Sequence, residues 1–298
     1  MNLLFILNPI AGKKKTRQSL PIIEDFCKQR DISYKVIETK GPGDATEIAR
    51  ENASSYDGIV AIGGDGTVLE TASGIMGTGT PLGILPLGSG NDLARALNIP
   101  LGFNNIDKAL SIITKEPARI IDTGRLDGKV FLNIASIGFD AEIIRDLHKV
   151  KRYIKGGTAY AVSVFLKFIS YQPKPLKITI DGKESNKTLF LAAICNGISY
   201  GGGMKVNPKG CMTDGYLDLV LIEPVPRYKI PFLLIKFMKG KYFDLPYVSY
   251  HRCKKVFIES KERLAVNIDG ESTEAATISF ESSPLSLEVF GASEQEDT

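Results

Sequence analysis

The residues best suited to chemistry are Ala61-Ile62-Gly63-Gly64-Asp65-Gly66-Thr67, where an apolar run feeds three glycines around a single carboxylate and helical periodicity follows at once. Gly63, Gly64 and Gly66 can adopt positive φ and bring bare N–H groups close to a polyphosphate, and a helix opening near Thr67 directs the positive end of its dipole there. Asp65 would repel such phosphates unless a metal ion, a proton to accept or a hydrogen-bond donor partners it. The plainer role open to it is to cap the helix that follows. Asn8-Pro9-Ile10-Ala11-Gly12 and Gly88-Ser89-Gly90-Asn91-Asp92 are loops of the same texture. Either alone reads as an ordinary turn, but three of them after successive apolar runs point to a polyphosphate site assembled from several strand ends.

Such loops need a scaffold that holds their ends in one plane. Residues 3–7, 34–37, 59–62 and 82–85 read as strands alternating with helical patterns, which argues for a parallel sheet covered by helices and for ligands at its carboxyl edge. Asp44 followed by Glu47, after the turn Gly41-Pro42-Gly43, reads as a capping box. From about Ile120 the texture changes to short strands separated by turns: 129–134, 176–180, 189–195, 216–222, 256–260, 264–268 and 285–290. Only two helical stretches stand out there. The expected fold class is α/β plus β. A parallel-sheet nucleotide-binding domain covers 1–120, joined near 118–123 to a β-rich, sandwich-like domain over 121–290, whose last strand is free to return to the first domain. An acidic tail, 291–298, closes the chain.

Composition removes several classes of function. A net charge of +3 and a pI near 8.5 are too weakly basic to argue for nucleic acid, yet compatible with an anionic lipid surface. Cys27, Cys195, Cys211 and Cys253 are scattered, with only His148 and His251 to complete a metal site, so neither zinc nor a disulfide framework is expected. The apolar run 3–7 lacks the flanks of a signal peptide, and Lys167 and Lys236 interrupt the longest apolar stretches well short of the roughly 18 to 20 residues that span a bilayer. The expected location is the cytoplasm.

Two familiar nucleotide signatures fail. Gly12-Lys13 lacks the upstream glycine of a Walker A loop, and neither Gly64-Asp65-Gly66 nor Gly88-Ser89-Gly90 carries the third glycine of the dinucleotide fingerprint. Asn8-Pro9-Ile10-Ala11-Gly12, Gly63-Gly64-Asp65-Gly66-Thr67 with Glu70, and Pro86-Leu87-Gly88-Ser89-Gly90-Asn91-Asp92-Leu93-Ala94-Arg95 instead resemble, jointly, the catalytic domain of the diacylglycerol kinase and sphingosine kinase family. Their order and spacing are similar to those of its soluble bacterial lipid kinases. Asn196-Gly197, Gly201-Gly202-Gly203, Asp214-Gly215-Tyr216-Leu217-Asp218 and Asp269-Gly270-Glu271 extend the resemblance over almost the whole chain.

The resemblance implies that Asn8, Pro9, Ile10, Ala11, Gly12, Thr39, Gly63, Gly64, Asp65, Gly66, Thr67, Glu70 and Ser89 contact ATP, Ser89 standing where many relatives carry threonine with the same hydroxyl. It sets Asp65 at the nucleotide phosphates and magnesium. Glu271 becomes the candidate general base for a lipid hydroxyl, projected by the turn at Gly270, with Asp269 orienting the site. Lys13 either supplies charge to the same phosphates or is a solvated member of its lysine run. A separate structural magnesium is implied at Asp214, with the main-chain carbonyls of Cys211 and Tyr216 and with Asp122 reaching in through water. The implied reaction moves the γ-phosphate of Mg·ATP to a lipid alcohol, diacylglycerol to phosphatidic acid being the first choice, with no cofactor besides magnesium. The basic and apolar stretches 147–169 and 228–243 suit either a membrane surface or the core; the first of these readings puts the protein at the inner face of an anionic membrane. Oligomeric state is left open, a homodimer included. The alternatives are a nicotinamide-dinucleotide kinase-like phosphotransferase and a non-catalytic lipid or nucleotide sensor on the same fold.

Overall fold

Short aliphatic runs without polar alternation are the pattern of strands covered on both faces. In the computed structural model, which describes residues 1–151, 164, 167 and 170–291, these runs become β1 (Asn2–Leu7), β3 (Gly58–Gly63) and β4 (Leu82–Pro86), while β2 (Ser33–Glu38), with Lys35 and Glu38 among its residues, is a partly exposed edge strand. They pair in parallel in the order β2-β1-β3-β4. Leu3, Leu4, Phe5, Ile59, Val60 and Ile62 are wholly buried. The segments between and after them include α1 (Ala11–Lys14), α2 (Leu20–Lys28), α3 (Asp44–Asn52), α4 (Asp65–Ile75), α5 (Asp92–Ala96) and α6 (Ile106–Lys115). Helical spacing puts Ile23, Phe26 and Cys27 of α2, and Ala109, Leu110 and Ile113 of α6, into one core with the strands. From β1 the chain runs outward to β2 and then crosses to the other side of β1 as β3. The strand order therefore reverses between β1 and β3, and a crevice opens at their carboxyl ends.

The capping box expected at Asp44 and Glu47 does not form. Gly43, left-handed at φ 86°, occupies the N-cap of α3, and Asp44 accepts the N–H of Lys40 at 2.6 Å. The free N–H groups of Gly43 and Ala45 donate instead to Glu70 of α4, at 2.9 and 3.3 Å. A carboxylate from the neighbouring helix satisfies donors that the local sequence could have served itself.

The second half is antiparallel. Its strands are β5 (Ala118–Leu126), β6 (Lys129–Phe131), β7 (Ile134–Gly138), β8 (Lys174–Ile180), β9 (Lys183–Leu189), β10 (Leu191–Cys195), β13 (Leu217–Ile222), β14 (Val248–Cys253), β15 (Lys255–Ile268) and β16 (Glu271–Phe290). β11 (Ser199–Tyr200) and β12 (Met204–Lys205) make a separate two-stranded ribbon. Two helices here have described bounds, α7 (Phe139–Lys151) and α8 (Ile230–Met238), and residues 164, 167 and 170 are also helical. Two further cores result, one holding Phe131 edge-on to Phe280 at 6.4 Å and the other gathering Phe139, Phe190, Leu233 and Tyr242.

Three local readings change. Residues 118–123, read as a joint between domains, belong to β5 and pair with β16. Residues 256–260 and 264–268 are one strand, whose register on β16 shifts between Glu259 and Leu264. The run 129–134 breaks between β6 and β7 because the N–H groups of Leu132, Asn133 and Ile134 turn to the carboxylate of Asp269, at 2.6, 3.0 and 3.0 Å. β16 continues far enough for Val289 to lie opposite Leu82 of β4, in parallel. A single sheet, fourteen-stranded among the described residues, therefore passes from the parallel half into the antiparallel half. Of the basic and apolar stretch 147–169, residues 152–163, 165, 166, 168 and 169 lie outside the described residues, as do the acidic residues 292–298.

Candidate active site

Three loops meet over the carboxyl ends of β1, β3 and β4. Asn8, first after β1, uses both ends of its amide there: Oδ1 accepts the N–H of Ile10 at 3.1 Å and Nδ2 donates to Thr67 Oγ1 at 3.0 Å. None of Gly63, Gly64 and Gly66 has positive φ, contrary to what their flexibility led us to expect. Gly63 and Gly64 are instead needed for space, whereas Gly66 has room for a methyl group. A Cβ on Gly63 would lie 2.5 Å from Thr67 Oγ1, and one on Gly88 would lie 2.2 Å from the Cα of Gly64, so two of the loops touch backbone to backbone. Gly12 is left-handed, at φ 55°, and a Cβ there would meet the carbonyl oxygen of Leu87 at 2.4 Å.

These contacts surround a cleft of about 510 Å³, in the range of small-molecule and cofactor sites. Asn8, Pro9, Ile10, Ala11, Gly12 and Thr39 line one part of it, and Gly64, Gly66, Thr67, Glu70 and Ser89 another. Lys13 lines it too, with Gly88 of the third loop and with Lys40, which the sequence did not single out. Glu70 reaches the cleft with its carboxylate already engaged by α3. Gly63 is buried at the end of β3 and Asp65 faces elsewhere.

Asp65 belongs to a second, adjoining cavity of about 20 Å³, room for about one water molecule, which it shares with Asp92, Asn133, Tyr200 and Asp269. Its two oxygens accept the N–H groups of Asn91 at 2.8 Å and Asp92 at 2.5 Å. It thus caps a helix as the plainer reading allowed, but that helix is α5, not its own. Asp92 in turn accepts the N–H of Gly202 at 2.9 Å, bridging to the β11–β12 ribbon. Burial, with the negative charge of Asp65 adding to it, pushes the Asp92 carboxyl up to about 6. Burial likewise pushes Asp269 up to about 6, although its three backbone donors pull the other way. Asp92 stood inside a quoted loop. Nothing in its spacing revealed that its side chain would cross to residue 202.

Glu271 arrives at the large cleft from the other half of the chain. Asp269 and Gly270, at φ 47° and 93°, make the left-handed pair of a two-residue hairpin turn that pairs Ile268 with Glu271. Asn267 Oδ1 accepts the N–H of Gly270 at 2.9 Å and Asp269 anchors the turn on residues 132–134. The exposed Glu271 side chain then hangs over the glycine loop: a Cβ added to Gly66 would lie 3.7 Å from Glu271 Oε1.

Asp214 and Asp122 also come together. Asp122, fully buried, accepts the N–H groups of Gly215 at 2.6 Å and Leu285 at 2.7 Å, while its own N–H donates to the carbonyl of Met212. Asp214 accepts the N–H of Tyr216 at 2.9 Å and pairs with Arg252 at 2.5 Å, whose guanidinium lies over the Tyr216 ring. The donors are hard oxygens, the kind magnesium takes. Both Asp214 oxygens are nevertheless engaged, so an ion here competes with Arg252 for that carboxylate. Among the described residues no three His, Cys, Asp or Glu side chains converge as a metal cage.

Comparison with known proteins identifies the class. Residues 2–126 match the diacylglycerol kinase catalytic domain, and residues 133–291 match the YegS C-terminal NAD kinase beta sandwich-like domain. The diacylglycerol kinase of Bacillus subtilis is 30% identical over 271 residues, covering 89% of this chain and 88% of its own. A Chromohalobacter salexigens protein named "Probable lipid kinase YegS-like" is 35% identical over 234 residues, covering 77% of this chain and 74% of its own. The crystal structure of a diacylglycerol kinase from Bacillus anthracis superposes with a TM-score of 0.73 at 26% identity, over 97% of this chain and 96% of that one. The fold and the two domain matches define a lipid kinase. The chain belongs to the diacylglycerol kinase family, and ATP is the phosphate donor that this family implies.

Proposed function

We propose that the protein transfers the γ-phosphate of Mg·ATP to the hydroxyl of diacylglycerol, giving phosphatidic acid and ADP. The observation that carries this reading is the meeting of Glu271 with the glycine loop at Gly66 on one cleft, although some two hundred residues separate them. ATP occupies the cleft with its phosphates on the loops of Asn8, Gly64 and Ser89, and the magnesium that accompanies it enters as part of the substrate. The lipid oxygen attacks the γ-phosphorus as the bond to the β–γ bridging oxygen breaks, and its proton passes to the Glu271 carboxylate. Lys13 adds positive charge at the leaving phosphates. Asp65 and Asp269 hold the two loops that carry the reacting groups, one through α5 and one through residues 132–134. On this reading residues 1–120 serve the nucleotide and 121–290 the lipid, at the inner face of an anionic membrane. Asp214, with the carbonyls of Cys211 and Tyr216 and with Asp122 through water, would hold a structural magnesium at that turn in competition with Arg252, and the ion would supply charge that stiffens it.

Incubating the protein with Mg·ATP and a mixed-lipid extract, with products identified by mass, tests the assignment. Phosphatidic acid is the expected product. Transfer to NAD with none to lipid would favour the dinucleotide-kinase alternative, and binding of ATP or lipid with no product would favour a sensor.

A further inference from the structure

Helix α8 is apolar on two opposite sides. Ile230, Leu233 and Phe237 are buried in the core with Tyr242 and Val206. Tyr228, Phe232 and Ile235, spaced one above another along the helix and the turn before it, are 78%, 57% and 54% exposed. A helix that needed only to pack on the core would carry polar residues on that second face. The segment that carries the stripe is basic, with Glu223 and Asp244 only at its borders. Residues 224–243 contain Arg227, Lys229, Lys236, Lys239 and Lys241 and no acid. Two of these cations lie over the exposed rings, Lys236 at 5.1 Å from the Phe232 centroid and Lys229 at 5.9 Å from that of Tyr228.

We propose that this face is the surface the protein lays on an anionic bilayer, with Tyr228, Phe232 and Ile235 entering the boundary between headgroups and acyl chains while the lysines meet lipid phosphates. The inference rests on the reading that the acceptor is a membrane lipid. Charge selects the occupant. A twofold dimer through this face would set the same basic stripe against itself, whereas an anionic lipid surface neutralises it. The face is also coupled to the site: α8 packs on β12, Tyr242 just beyond it donates its hydroxyl to the carbonyl of Val206, and the β11–β12 ribbon reaches Asp92 through Gly202. The buried face of α8 therefore packs on the ribbon that reaches the carboxylates beneath the glycine loops.

Co-sedimentation with vesicles of phosphatidylcholine, with and without about 30 mol% phosphatidylglycerol, tests this. The wild type should bind the anionic vesicles, more weakly as salt rises, and should neglect the neutral ones. F232A/I235A should bind at least about tenfold more weakly. K236E/K239E should lose as much, since a basic residue near an anionic surface is worth about 1 kcal/mol, a factor of about five. All of these side chains leave the core untouched, and turnover of a short-chain diacylglycerol dispersed as monomers should stay at the wild-type value in both variants. Equal vesicle binding by wild type and both variants overturns the proposal, as does wild-type binding indifferent to phosphatidylglycerol. So does a dimer that F232A/I235A dissolves while vesicle binding persists. Failure of the wild type to phosphorylate the monomeric acceptor would count against the assigned reaction and leave the vesicle result standing.

Discussion

The carboxylate of Asp65 accepts the backbone N–H of Asp92 at 2.5 Å, while the carboxylate of Asp92 accepts the N–H of Gly202 at 2.9 Å. A loop of the parallel half and a ribbon of the antiparallel half are clamped together through two acidic groups that repel each other. The clamp keeps its geometry because backbone donors hold each carboxylate, and it leaves Asp92 with a pKa of about 6.

Asp92→Asn keeps an acceptor for Gly202 and removes the repulsion. A carboxyl whose pKa is raised in the folded state costs stability once pH rises through that pKa. The variant should therefore be more stable than wild type at pH 7.5, by about 1–2 kcal/mol once solvent screening of the partly exposed group is allowed for. The gain should shrink as pH falls through about 6 and vanish near pH 4. Urea unfolding across that range measures it, and a gain independent of pH would show that charge is not its origin.

Asp65→Ala strips the acceptor from two N–H groups. Each unsatisfied donor costs about 1–3 kcal/mol, so a clear fall in melting temperature is expected together with loss of turnover. Asp65→Asn keeps one acceptor for the start of α5 and should recover part of the stability and of kcat together. A kcat that stays at least about 100-fold down while the melting temperature recovers would show that the charge of Asp65 does more than hold the loop.

Glu271→Gln tests the proton acceptor directly. The side chain is exposed, so the melting temperature should not move. kcat for the lipid should fall by about 10²- to 10⁴-fold with KM for ATP within about twofold. Unchanged turnover of every lipid acceptor would remove its assigned role.

Gly88→Ala places a methyl group 2.2 Å from the Cα of Gly64, backbone on backbone, where no side chain can swing aside. A loss of about 1–3 kcal/mol and at least a tenfold rise in KM for ATP are expected. Gly41→Ala, on the same cleft but with nothing within 4 Å of the new methyl, serves as the control and should be nearly silent in both assays.

Magnesium at Asp214 has a readout independent of turnover. If the ion replaces Arg252, millimolar magnesium should raise the melting temperature of wild type, and should do so at lower concentration in Arg252→Ala, where nothing competes. Asp214→Asn should abolish the shift. A shift that survives Asp214→Asn places the ion elsewhere.

The sequence by itself determined the parallel strands, the three glycine-bearing loops at their carboxyl ends, and the tight turn at Asp269 and Gly270. All of these follow from features local to a few residues: aliphatic runs, glycine spacing, and residue types that tolerate left-handed backbone. Tertiary structure alone decided which donor each carboxylate serves. Asp44 lost the start of α3 to Glu70, Asp65 turned from the cleft to Asn91 and Asp92, and Asp269 gathered residues 132–134 and broke an expected strand in two. A carboxylate can satisfy any N–H within reach, so its partner is set by which loops packing brings close. The same holds for β16, whose length carries Val289 back to Leu82, and for Glu271, which reaches Gly66 only because the sheet is continuous between the two halves.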